Sequence, residues 1–385
     1  MDIQRQFPDV HWIWEGGISF VYEVHPRIVV KVPKSGEFER EQFQKELKIY
    51  EIFSRCRPCP YIVQCFFYTD NGIFLEYMRD ISLSSRIQDN HIRDRHTMVV
   101  TKVEKLESLS LRKRWMNNLA QAVAFLESLN LAHGDLRPEN ILLDRDELKL
   151  SDFDSTAEIG TDFEACMAPY GRLLNSSETD QGRRGTSGSL GPRTEQFALG
   201  SLYYLINYGF EVYGDQCLTE DPTEHGPKVV DLLQNMEFPR LDGDPLIDNI
   251  IDKCWHNRYA TVAELATQTE MLLEGVNENG AKAQTDSMTA WHVAIANIVC
   301  GLRNSLVGWW ASLQPSTNEI SNQPVPSGYD RSGDDYDDAG RGLAEDSISG
   351  KALCQDLEKR GLLRLLSSAE PKQLGFPLEW YRHSC

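Results

Sequence analysis

Two aspartates, an asparagine, a lysine and a glutamate stand at spacings that suit one task. "HGDLRPENILLD" (133–144) sets Asp135 five positions before Asn140, and "LSDFDS" sets Asp152 twelve positions after Asn140. A hairpin between the last two would bring an amide and a carboxylate to one divalent cation, beside which Asp135 would orient a hydroxyl. Lys31 lies inside the apolar run "RIVVKV", where burying an ammonium without a partner charge is costly. Glu46, fifteen positions further on, can be that partner. Transfer of a phosphoryl group from a nucleoside triphosphate asks for this kind of set, because it depends on positioning and positive charge around phosphates more than on covalent catalysis. "WEGGISFVYEV" adds Gly16 and Gly17, a turn whose backbone can approach phosphates, although a Gly-Gly turn in a hairpin is structural by default.

These residues need elements to hold them. "ISFVYEV", "RIVVKV" and "GIFLEYM" are short β-branched and aromatic runs punctuated by Gly and Pro, which predicts strands. Between the second and third, "EREQFQKELKIYEIF" repeats Phe43, Leu47 and Tyr50 at helical spacing. From about residue 80 helix dominates. Leu111, Trp115, Leu119, Val123, Leu126 and Leu129 form one apolar face that leads into HGDLRPEN. "EQFALGSLYYLINYG" is a nearly all-apolar helix stopped by Gly209, and "TVAELATQTEMLLEG" opens with a Thr261–Glu264 capping box. Residues 175–193 are rich in Gly and Ser and predict a mobile loop.

With 385 residues the chain is long enough for a two-lobed domain with a sizeable core. Its 58 acidic and 39 basic residues give a formal charge of −19, which disfavours a sequence-independent grip on nucleic acid or an anionic membrane. The start carries no apolar stretch of signal-peptide length, so a cytoplasmic location is expected, with a nuclear one also compatible, and the nine cysteines are expected as thiols. Cys56 and Cys59 form a C-x-x-C, but without a second pair at zinc spacing the pattern points to a Pro-rich turn. "MTAWHVAIANIVCGLRNSLVGWWASL" is interrupted by His292 and Arg303, which favours a docked amphipathic helix over a membrane span.

Taken together, residues 14 to about 274 resemble the eukaryotic protein-kinase family. HGDLRPEN is similar to its catalytic loop, DFD to its D-F-G, and the lysine, glutamate and glycine hairpin follow in its order. The resemblance implies an α+β bilobal fold, with a small antiparallel-sheet N-lobe carrying one helix and a larger helical C-lobe. It implies ATP and magnesium as cofactors and a protein hydroxyl as acceptor. In this sequence Asp135 would accept the proton of the attacking hydroxyl, and Arg137 stands where a phosphate-contacting lysine is usual. Asn140 and Asp152 would hold the metal, while His133 reads as a structural histidine. Gly16, Gly17, Ser19 and Val21 would cover the nucleotide, with Trp14 at the first glycine's place. Val29 would lie over the adenine and Leu142 beneath it. Lys31 would reach the phosphates, held by Glu46. Leu75 would be the gatekeeper, and Glu76 to Met78 the hinge. Glu195 replaces the usual aspartate of the central helix, and Arg258 is expected to be buried.

The departures set the alternatives. Gly134 removes the arginine that would pair with a phosphate on the activation segment, which predicts lost regulation, not lost chemistry. Asp154 replaces the glycine of D-F-G, a place where unusual backbone dihedrals are expected and where Asp tolerates the left-handed region better than most residues. Val29 narrows the adenine pocket, and no A-P-E precedes "TEQFALG". H-G-D with D-F-D is also similar to the aminoglycoside and choline phosphotransferases. A pseudokinase scaffold is the third reading. The expected organisation is N-lobe 1–78, C-lobe 79–274, a low-complexity acidic insert at 275–346 expected to be mobile, and a tail at 347–385 docking on the C-lobe. The tail's ending is similar to that of many filamentous-fungal kinase-like proteins.

Overall fold

The computed structural model describes residues 3–80, 82–163, 167–274 and 338–383. After a short helix α1 (Ile3–Gln6) come β1 (His11–Glu15), β2 (Ser19–His25) and β3 (Ile28–Pro33). Helix α2 (Glu37–Phe53), β4 (Cys65–Thr69) and β5 (Gly72–Glu76) follow. The five strands form one antiparallel sheet in the order β1-β2-β3-β5-β4. Its register sets Val21 opposite Lys31 and Val29 opposite Leu75. Helix α2 buries Phe43, Leu47 and Tyr50, the residues at helical spacing, together with Glu46. Glu37 and Glu39 in its first turn complement the helix dipole.

The second lobe is helical and uses short strand pairs as connectors. Its elements run α3 (Leu83–Gln88), β6 (His91–Arg93), β7 (Val100–Val103), α4 (Leu109–Ser128), β8 (Leu131–Ala132), β9 (Ile141–Asp144), β10 (Glu147–Leu150) and β11 (Ala157–Glu158). Then come α5 (Pro192–Tyr208), α6 (His225–Gln234), α7 (Pro245–Trp255) and α8 (Val262–Glu274). Strands β9 and β10 form the hairpin that leads from Asn140 to Asp152. Helix α4 buries Leu111, Trp115, Leu119, Val123 and Leu126 and packs on α8, while α5 packs on α7. Gly209 ends α5 in the left-handed region at φ 83°. Only half of the expected capping box forms at α8. Thr261 Oγ1 accepts from the Glu264 N–H at 3.2 Å, but the Glu264 carboxylate turns to the Ala260 N–H at 2.9 Å.

Residues 1–276 and 347–385 make one compact unit, and 277–346 are a second. The acidic insert and the apolar 288–313 stretch lie largely outside the described residues. Helix α9 (Asp338–Lys359) begins within the former, and α10 (Leu362–Leu366) follows it. No helix among the described residues is long and apolar enough to cross a membrane.

The tail corrects the expectation that it docks on the C-lobe. Leu357, Leu362, Leu363, Leu366 and Phe376 are buried in a cluster with Trp12, Phe20, Tyr22, Val30, Val32 and Phe74 from the outer face of the N-lobe sheet. The reason is the two-residue side-chain period of a strand. Ile13, Val29, Ile73 and Leu75 point to the core shared with the helical lobe, so their sequence neighbours point the other way and need their own cover. Every residue of β3 is buried for this reason. Gly72 permits the close fit, since a Cβ there would lie 2.6 Å from Leu363 Cδ2.

The Gly/Ser-rich 175–193 stretch is a loop up to the start of α5 at Pro192, and it folds back on itself. The Leu174 N–H donates to Thr186 O at 2.8 Å, and the Gly185 N–H returns to Leu174 O at 3.0 Å. Beneath it the buried Arg172 guanidinium grips the Glu178 carboxylate at 2.5 and 2.8 Å.

Candidate active site

His133 to Asn140 run between β8 and β9 beneath the sheet lobe. The His133 and Gly134 N–H groups donate to the Glu195 carboxylate of α5 at 2.8 and 3.3 Å, anchoring the loop to the central helix. Burial pushes that carboxyl up to about 7, against the pull of the two donors. The His133 ring is fully buried, with Nε2 at 3.0 Å from Ser151 O, and Nδ1 accepts from the Asp135 N–H at 3.2 Å. That pairing puts the ring proton on Nε2. Burial lowers its pKa, so the ring is neutral and structural.

Asp135 is thereby aimed at the cleft. Asn140 Nδ2 donates to its carbonyl and to Oδ2, both at 2.9 Å, and Arg137 Nε lies 3.1 Å from the same Oδ2. The β9–β10 hairpin then returns the chain, with the Ser151 N–H bonded to Asn140 O at 2.9 Å, and delivers Asp152.

Lys31 joins the lobes at this point. Its Nζ lies 2.6 Å from Asp152 Oδ1 and 2.7 Å from Glu46 Oε2. Burial alone would lower the lysine's pKa, but the carboxylates of Asp152 and Glu46 outweigh it and drive the value up. Burial raises Glu46 to about 7 despite the lysine, whereas Asp152, half-buried, is held below the usual carboxylate range by the Lys31 ammonium. Phe153 locks the arrangement. It is fully buried edge-on against Tyr50 and Phe53 of α2, at 5.6 and 5.1 Å between ring centroids, and against His133 at 5.3 Å.

Two sequence readings change here. The left-handed residue of LSDFDS is Asp152, at φ 63°, while Asp154 does not have a positive φ, so the missing glycine costs the backbone nothing. Burial and the neighbouring Asp152 raise the Asp154 carboxyl. Arg258, expected to be buried, is exposed, because Gln196 fills its loop by bonding Asn257 Oδ1 at 2.6 Å and the Tyr259 backbone. Among the described residues the buried arginine is Arg172, next to the 175–193 loop, and its guanidinium lies over the Phe197 ring. Local patterning did not single it out as buried, because only its pairing with Glu178 and the ring of α5 removes it from water.

Gly134 has a steric role that the sequence did not reveal. It sits at φ 78°, and a Cβ there would lie 2.7 Å from the Ser155 carbonyl oxygen, a backbone atom. Gly134→Ala should therefore destabilise the fold by about 1–3 kcal/mol. Gly17→Ala, whose Cβ would meet nothing within 4 Å, serves as the control. Equal denaturation midpoints for the two variants would show the strain to be absent.

The remaining expected residues lie on β2, β3, β5 and β9 and in the segments next to them. The Gly16 N–H closes the β1–β2 turn onto Ser19 O at 2.9 Å, and the space above Gly17 is open. Ser19, Val29, Leu75 and Met78 are buried, Val21 is half-buried, and Leu142 is half-buried on β9. The Glu76 carboxylate is held by Lys149 Nζ at 2.6 and 2.7 Å, and its backbone N–H donates to Gln64 O at 2.8 Å. A separate cavity behind α2, lined by Pro33, Arg40, Phe43, Gln44, Asp70 and Asn71, includes none of these residues. Cys56 and Cys59 are free thiols.

The sheet lobe, the helical lobe and the ion pair that joins them define a two-lobed phosphotransferase architecture. The protein kinase domain matches residues 13–231, more than half of the chain, and the chain belongs to that family. It is 24% identical over 263 residues to the probable serine/threonine-protein kinase gdt2 of Dictyostelium discoideum, a match covering 64% of this chain and 14% of gdt2. Identity to the mitosis inhibitor protein kinase mik1 of Schizosaccharomyces pombe is 29%, over 40% of this chain and 26% of mik1. The probable serine/threonine-protein kinase FMP48 of Saccharomyces cerevisiae is 28% identical, over 43% of this chain and 48% of FMP48. The matches thus span less than half the length of each of these relatives.

Proposed function

We propose that this chain is an ATP- and magnesium-dependent protein kinase that transfers the γ-phosphate to serine or threonine hydroxyls. One observation carries the reading: Lys31 bridges Glu46 and Asp152 across the cleft while Asp135 and Asn140 face the same space. The serine/threonine-kinase names of gdt2 and FMP48 support the choice of acceptor.

The donor set fits the cofactors. Among the described residues no group of three or more His, Cys, Asp or Glu could hold a metal by itself. Magnesium at a nucleotide needs only one or two protein ligands beside phosphate oxygens. Asp152 and Asn140 are an anionic and a neutral oxygen ligand of that kind, and the open space over Gly17 suits phosphates. Bound there, magnesium-ATP would supply the transferable phosphoryl group and screen its charge.

The chain's own residues would do the rest. Asp135 Oδ2, fixed by Asn140 and Arg137, orients an acceptor hydroxyl and takes its proton. Arg137, nearly half exposed, brings positive charge to the mouth of the cleft as a planar fork where an ammonium would be a point charge. Lys31 supplies charge from the roof, and the buried wall of Val29, Leu75 and Met78 excludes water from the base side.

Magnesium-ATP at about a hundred times its dissociation constant should stabilise the fold by roughly 2.7 kcal/mol. Thermal melting with and without the nucleotide is the test, and an unshifted midpoint would favour a pseudokinase scaffold over an enzyme.

A further inference from the structure

The C-terminal segment goes past the sheet it covers and reaches the cleft. After Phe376 packs edge-on against Tyr22, the chain runs beside β1, with Leu378 bridged to Trp12 and the Glu379 N–H donating to Trp12 O at 2.8 Å. Arg382 then turns round the sheet edge. Its Nε and Nη2 donate to the Glu23 carboxylate at 2.8 and 3.3 Å. Glu23 is on β2, two residues beyond Val21 on the same face, and is itself buried. The Arg382 carbonyl accepts from Tyr77 Oη at 3.3 Å, and Tyr77 lies between Glu76 and Met78 in the connection between the lobes. Glu379 Oε2 adds a contact to His11 Nδ1 at 3.2 Å and lies 3.6 Å from Arg382 Nη1.

One residue therefore grips the strand that carries the glycine hairpin and the segment on which the lobes pivot. A guanidinium held by two bonds to a buried carboxylate fixes orientation as well as distance. We propose that Arg382 is a positioning residue for nucleotide binding, holding the hairpin roof in register with the hinge. The proposal rests on the cleft being the nucleotide site. The core of the tail, Leu362, Leu363, Leu366 and Phe376, is buried without Arg382, so the tie is separable from the fold.

The test is calorimetric titration of the full chain with magnesium-ATP, paired with melting. Arg382→Ala should weaken binding about tenfold through lost preorganisation. Arg382→Lys should recover part of the loss, because a point charge keeps the attraction to Glu23 but not the fork. Adding Glu23→Ala to Arg382→Ala should weaken it no further. Arg360→Ala removes a tail contact to Gln6 far along the chain from Arg382 and should leave affinity unchanged even if it lowers the melting point. Should Arg382→Ala fail to fold, Arg382→Gln, which keeps the stem and a donor, carries the same comparison. Unchanged affinity in the Arg382 variants, or an equal loss in Arg360→Ala, overturns the proposal alone. A wild-type chain that binds no nucleotide overturns it together with the functional reading.

Discussion

Asp135→Asn should lower the rate of phosphoryl transfer by on the order of a hundredfold or more and leave affinity for magnesium-ATP almost unchanged. The substitution keeps the shape. An amide oxygen can still accept from Asn140 Nδ2 and Arg137 Nε, which now share Oδ2. What disappears is the anionic acceptor for the hydroxyl proton, together with the charge opposite Arg137. Affinity is spared because Asp135 is not among the residues read as contacting the nucleotide. Steady-state kinetics beside calorimetric titration separates the two quantities. Full activity in the variant would remove Asp135 from the chemistry, and an equal loss of affinity would make its role structural.

Lys31→Met should destabilise the fold by about 3 kcal/mol at neutral pH, because removing the lysine strands the buried Glu46 carboxylate. Glu46 is almost fully buried and its carboxyl already stands at about 7 with the lysine present. Without the ammonium it rises further above its ordinary value near 4.5. The sign follows from proton binding. A carboxyl with a raised folded-state pKa holds more protons in the native than in the unfolded state, so stability rises as pH falls. The variant should therefore recover part of its deficit between pH 7 and 5, a window in which Lys31 in the wild type stays fully protonated. Chemical denaturation at the two pH values measures this, and a deficit independent of pH would exclude Glu46 as its source.

The parts legible in sequence were those in which local pattern and long-range contact agree. Lys31 in an apolar strand announced a buried ion pair, and Glu46 on a helix of the right phase completes it. The twelve-residue gap from Asn140 to Asp152 is spanned by the β9–β10 hairpin as expected. The destination of the tail was not legible. Leu362, Leu363, Leu366 and Phe376 say that a surface is buried but not against what. A signal was nevertheless present in "RIVVKV", whose apolar residues on both sides of the alternation mark a strand covered on both faces and so call for a second layer outside the sheet. Arg382 carried no signal of its own, since an arginine near a chain end looks like any solvated one until Glu23 and Tyr77 are placed beside it. Gly134 was read for the side chain it lacks, whereas its left-handed backbone against Ser155 O explains why a glycine suits that position. Residue 154 was read for its backbone, but the left-handed conformation falls on Asp152.

The proposed reaction is transfer of the γ-phosphoryl group to a protein hydroxyl. The purified 385-residue chain, incubated with γ-labelled ATP and magnesium, should label itself or a generic protein acceptor on serine or threonine. Asp135→Asn should not, and parallel reactions with aminoglycosides and choline should stay unlabelled. Label on an aminoglycoside or on choline with none on protein, or no transfer at all by the wild-type chain, would contradict the account.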